Sequence, residues 1–236
     1  MSPAQPSRKS SPQRGLLARP LDALVFLLPL IIFYEAASVT RTDRVIAFDL
    51  MRRFFELFGT VAVWAPGIGV LTVLLATHIA SGQPWRIRWG RVGLMYFEAA
   101  FLAIPLLGLN WLIPLTAGEA ITPTLVDRLA LGIGAGIYEE LVFRLVLISI
   151  MVMIGVDLLK LKPSSVAVVA VLLSSLAFAA HHHAPFGTEP FAEIPFFFRT
   201  IAGTYLAIIF WYRGYGSAAG CHAAYNVALA LLGPQS

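Results

Sequence analysis

Three short stretches of this sequence carry groups suited to hydrolysis. The first, Gly132-Ile-Gly-Ala-Gly-Ile-Tyr-Glu-Glu-Leu-Val-Phe-Arg144, sets Glu139, Glu140 and Arg144 within two helical turns. Glu140 and Arg144 are four residues apart, so on a helix they share a face and can neutralise one another. Glu139 points about 100° away from Glu140 and has no local counter-ion, which is the condition for a carboxylate that works as a general base. The second stretch, Ser174-Ser-Leu-Ala-Phe-Ala-Ala-His-His-His183, puts Phe178 and His182 on one helical face. Register favours His182 among the three histidines, and His181 or His183 takes its place if the helix ends early. The third, Gly216-Ser-Ala-Ala-Gly-Cys-His-Ala-Ala-Tyr-Asn226, places His222 and Asn226 four residues apart among small residues.

Two chemistries remain open for this set. In one, Glu139 and His182 deprotonate a water that attacks an amide carbonyl, while His222 and Asn226 donate hydrogen bonds to the developing oxyanion. In the other, Glu139, His182 and His222 hold a divalent metal such as zinc that activates the water. Other hydrolase signatures are absent from the chain: there is no His-Glu-x2-His, no Gly-x-Ser-x-Gly and no Gly-x-Gly-Asp.

The elements that must position these groups are set by composition. Of 236 residues, 58% are hydrophobic and 13% charged, with a mean hydropathy of +0.78, against about 25% charge in an ordinary soluble domain. Residues 57–85, 99–118, 163–188 and 214–236 carry no charged side chain, and a helix needs roughly 20 apolar residues to cross the hydrocarbon. The expectation is an all-α, polytopic transmembrane bundle of about seven spans, near residues 21–39, 57–80, 92–114, 129–156, 164–183, 191–212 and 217–232. Residues 1–20, rich in Ser, Pro, Arg and Lys, read as a disordered basic tail. Residues 41–58 alternate apolar and charged groups and read as an amphipathic helix lying in the interface. The single Cys221 excludes an intramolecular disulfide. The basic residues are scattered between apolar runs, so they read as topology signals and not as a nucleic-acid site; their distribution favours an N-terminus on the cytoplasmic side.

Ionisable residues inside apolar spans are expensive and therefore candidates for function. Gly132 and Gly136 form a Gly-x3-Gly pair that suits close helix packing beside the carboxylates. Arg199 has no acidic residue within its own span, and is expected to pair with Glu98 or to reach the interface.

Taken together, Glu-Glu-x3-Arg at 139–144, Phe-x3-His at 178–182 and His-x3-Asn at 222–226 resemble the three motifs of the CPBP family, the CAAX proteases and bacteriocin-processing enzymes also called ABI. The resemblance covers roughly residues 126–232, including Ser174-Ser175 and the Tyr212-Arg213-Gly214 segment, and residues 1–125 contribute no motif. It implies a multi-pass, glutamate-dependent endopeptidase like the type II CAAX prenyl endopeptidases, with no cofactor for a glutamic-type mechanism. Glu139 would then be the water-activating glutamate, Glu140, Arg144 and Phe178 supporting residues, His182 the second-motif histidine, and His222 with Asn226 an oxyanion site. The implied partners are the bilayer and a peptide or protein substrate, prenylated or otherwise membrane-anchored. In a bacterium the implied location is the plasma (inner) membrane. The alternative is a non-catalytic relative acting in bacteriocin self-immunity or as a binding scaffold; an intramembrane Glu/His relay would also suit a proton-coupled transporter. The expected organisation is a tail at 1–20, N-terminal spans with the interfacial helix at 21–125, and a catalytic core at 126–236.

Overall fold

The computed structural model describes residues 19–39, 65–113, 124–187 and 189–232. The expected basic tail and the expected interfacial helix at 41–58 lie outside the described residues, apart from the tail's last two positions. The described residues form seven helices: α1 Pro20–Val39, α2 Ala65–Ser81, α3 Trp89–Leu112, α4 Leu125–Leu158, α5 Pro163–His181, α6 Glu193–Arg213 and α7 Tyr215–Leu232. Each expected span has its helix. Five of them (α1, α3, α4, α5 and α6) are long and apolar enough to cross a membrane, while α2 is a shorter apolar helix.

Local signals account for the boundaries. Thr124 and Asp127 close a capping box at the start of α4, with the Thr124 backbone N–H donating to Asp127 Oδ2 at 2.8 Å. Pro163 occupies the first turn of α5, where its missing N–H costs nothing. Gly214 alone joins α6 to α7 at φ 90°, a conformation that a side chain would disfavour.

At 34 residues, α4 is about 50 Å long and overruns the hydrocarbon thickness. It is α-helical through Glu140, then π-helical over Leu141–Ile148 and again over Met153–Leu158. Such wide turns concentrate at functional sites. The Phe143 carbonyl within the first one accepts the Ser174 hydroxyl of α5 at 2.7 Å, which ties the two helices together in the interior.

The last helix sits in the middle of the bundle. Residues 215–223 of α7 are all buried, and α7 packs against α1, α3, α4 and α6. Its small residues make this possible. A Cβ added at Gly136 of α4 would lie 2.5 Å from the Ala223 backbone N, and one at Gly220 would lie 2.6 Å from the Phe26 ring. Backbones in contact gain dispersion that lipid-facing surfaces do not provide. Large apolar side chains instead cover the outside, as with Phe97, Phe101, Ile104 and Trp111 along α3. Ion pairs fix the ends: Arg88 grips Asp22 at 2.9 Å, and Arg213 meets Glu98 at 2.6 Å. Glu98 is therefore engaged by Arg213, and the pairing of Arg199 lies elsewhere.

Candidate active site

Four helices converge around one cavity of about 280 Å³, lined by Glu139 from α4, Phe178 and His182 from the end of α5, Arg199 from α6, and His222 and Asn226 from α7. Glu140 and Arg144 form the floor. Both are fully buried, with Glu140 Oε2 lying 3.1 Å from Arg144 Nε. The pair is close but not aligned as a hydrogen bond. Arg144 Nη2 donates to the Gly203 carbonyl at 3.1 Å, and its guanidinium stacks 4.5 Å above the Phe178 ring. Buried charges persist only when paired and bonded in this way, and the cation–π contact adds to it.

Above the pair, His222 Nδ1 lies 2.9 Å from Glu140 Oε1. Glu140, paired with the Arg144 guanidinium, is a carboxylate and can only accept here, so the Nδ1 proton belongs to His222. That leaves His222 Nε2 facing Glu139 Oε2 at 3.9 Å. His182 shows the same arrangement: Nδ1 is 2.9 Å from the Phe178 carbonyl, which can only accept, and Nε2 lies 3.7 Å from Glu139 Oε1. A bonded Nδ1 fixes both the tautomer and the ring orientation. Two imidazole Nε2 atoms thus flank the two oxygens of one carboxylate. Asn226 Nδ2 donates to the Gly132 carbonyl at 3.0 Å, so one amide hydrogen is engaged and the other remains for the cavity.

The three consecutive histidines separate cleanly. His182 approaches Glu139, His181 packs its ring against Phe143 at 5.6 Å, and His183 is buried away from Glu139, with its Nδ1 3.1 Å from the Pro190 carbonyl. Helix α5 ends at His181 with His182 as its cap, and the chain bends immediately afterwards. Among the described residues, no three His, Cys, Asp or Glu side chains are arranged to hold a metal ion.

Sequence reasoning missed two contributors. Arg199 lines the cavity and is held by Glu189, at 2.7 and 2.8 Å. The signal was an arginine inside an apolar span, but its partner sits in an irregular segment that helical periodicity does not reach. Tyr215 was also missed; its hydroxyl donates to the Ile137 carbonyl at 2.9 Å, anchoring the start of α7 two residues before Glu139.

No curated protein and no solved structure matches the chain. Residues 121–228 match the family model described as type II CAAX prenyl endopeptidase Rce1-like, a stretch that holds the whole constellation from Glu139 to Asn226. That segment is therefore similar to the Rce1-like, type II CAAX prenyl endopeptidase family, a protease family, and it is carried on the apolar helices of an integral membrane protein.

Proposed function

We propose that this protein is a membrane-embedded endopeptidase that hydrolyses a peptide bond of a protein or peptide substrate near the membrane, using a water activated by Glu139 and His182. The observation that carries this reading is the meeting of Glu139, His182, His222 and Asn226, from three separate helices, on one cavity. Glu139 takes the water proton as the oxygen attacks the carbonyl carbon, and His182 Nε2, with its lone pair toward Glu139, orients that water. The oxyanion is met by the second Asn226 amide hydrogen and by His222 as an imidazolium, whose Nε2 proton is taken up from solvent before the substrate binds and stays on the ring through the reaction. Glu139 then returns its proton to the leaving amine as the C–N bond breaks. Glu140 and Arg144 act through His222: they hold its ring and keep its Nδ1 proton in place.

The family match makes prenylated, membrane-anchored proteins the first substrates to test, and in a bacterial cell the membrane would be the plasma (inner) membrane. The scheme uses no metal. The deciding experiment is cleavage of a farnesylated, internally quenched peptide by purified protein in liposomes. Wild type should cleave it and Glu139→Gln should not, with both variants equally stable to heat. Retained cleavage by Glu139→Gln overturns the proposal. A chelator should leave the wild-type rate unchanged; loss of activity restored by added zinc would replace the metal-free scheme with a metal-assisted one.

A further inference from the structure

Arg199 is a cation in the cavity wall that the hydrolytic scheme leaves unused. Phe198, Arg199, Ala202 and Leu206 recur at helical spacing and form the strip of α6 that borders the cavity. The other cation nearby, Arg144, is committed to Glu140, the Gly203 carbonyl and the Phe178 ring. Arg199 is held chiefly by one carboxylate. Its Nη1 and Nη2 donate in parallel to Glu189 Oε2 and Oε1 at 2.8 and 2.7 Å, and Nη1 lies 3.4 Å from His183 Nε2. This is the planar fork by which arginine recognises carboxylates.

The two partners differ in exposure. The Arg199 side chain is 15% exposed, whereas that of Glu189 is 48% exposed. Glu189 is presented by the return of the chain just after His182, where its N–H donates to the His182 carbonyl at 3.2 Å and its carbonyl accepts from Ala184 N–H at 2.8 Å. A half-exposed carboxylate is readily re-solvated when it leaves, while an arginine in the cavity wall still needs a counter-ion.

Building on the proposed endopeptidase activity, we infer that Arg199 is a carboxylate subsite of the cavity, filled in this state by Glu189 and during turnover by a carboxylate of the peptide substrate. Glu189 is then an internal competitor. Because Arg199 and Glu139 border one small cavity, the recognised carboxylate lies within a few residues of the scissile bond. It is either the α-carboxylate of the peptide terminus or an Asp or Glu side chain.

Three membrane-anchored quenched peptides separate these sources: one ending in a free carboxylate shortly past the scissile bond, its carboxamide, and a carboxamide carrying Asp at the last position. For wild type in liposomes, the KM for the free acid should be about tenfold or more below that for the amide, the range of a charge-assisted hydrogen-bonded pair. Arg199→Gln should raise the KM of the acid to that of the amide, and Arg199→Lys, which keeps charge but loses the fork, should fall between. Glu189→Gln should lower the KM of the acid while kcat stays constant. An Asp peptide that behaves like the acid identifies a side-chain ligand; one that behaves like the amide identifies the terminus. Equal wild-type KM values for all three peptides, or a preference that survives Arg199→Gln, overturns the subsite while leaving the endopeptidase standing. Binding of the same peptides to Glu139→Gln protein, read by thermal shift, covers the converse. If nothing is cleaved but acid binding depends on Arg199, the subsite stands and the endopeptidase reading fails. If there is neither cleavage nor selective binding, both fail.

Discussion

Two cavities border α4 and α5, toward opposite ends of α5, and they differ in size and in chemistry. The larger, about 470 Å³, is lined by Met151, Ile154, Gly155, Leu161, Val166 and Val169 with Lys162 and Ser165. The smaller, about 280 Å³, gathers Glu139, His182, Arg199, His222 and Asn226. An apolar groove on a membrane bundle is filled by lipid tails at little cost, so its volume says nothing about chemistry. A set of polar groups withdrawn from water is costly to assemble, and here nearly every member has a stated partner. Polar convergence, and not volume, distinguishes the proposed reaction site.

Perturbing each cavity in turn tests this distinction. The largest effect belongs to Glu139→Gln, which should lower kcat about 10²- to 10⁴-fold, the range for losing a general base, with an unchanged melting temperature. Next is Arg144→Met, which strands the buried Glu140 carboxylate with His222 alone. A loss of about 3–5 kcal/mol is expected, measurable by denaturant unfolding in detergent. Adding Glu140→Leu should recover part of that stability without restoring activity, because His222 then lacks its acceptor. A smaller loss, about 1–3 kcal/mol, is expected for Gly136→Ala, whose new Cβ would press on the Ala223 backbone. The smallest effect should come from the larger cavity, where Val169→Phe should change the cleavage rate by no more than about twofold. A large fall there would show that the two cavities work as one and would remove the distinction between them.

How much of this was legible in the chain depended on the range of each interaction. Glu140 and Arg144 could be paired by counting because a helix brings residues four apart together, and the structure has them 3.1 Å apart. The same count put Phe178 and His182 on one face, and their rings lie 5.1 Å apart. The spans were visible as apolar runs, but composition did not reveal that α7 lies at the centre. That follows from Gly216 and Gly220 of α7 meeting Met95 of α3 and Phe26 of α1, and from Gly136 of α4 meeting Ala223 of α7. The link between Arg199 and Glu189 was hidden because it spans a bend with no periodicity, which left Glu98 or the interface as the readings open from sequence. The wide turns of α4 left no trace either, since Leu-Val-Phe-Arg-Leu-Val-Leu-Ile would suit an ordinary helix equally well.

Those turns bear on how this protein tolerates genetic change. Glu139 and Glu140 end the α-helical part of α4, and Arg144 stands inside the first wide turn. The wide stretch behaves like an insertion absorbed within a helix, so length matters there as much as residue identity. Exchanging Val142 or Val146 for another aliphatic residue keeps the count and should keep the site. Deleting either one would rotate everything beyond it by about 100° and carry the following helix past the Ser174 hydroxyl that now holds Phe143. The reading frame of this helix, residue by residue, is therefore part of the design of the proposed site: substitutions can drift there, but insertions and deletions should abolish the proposed activity.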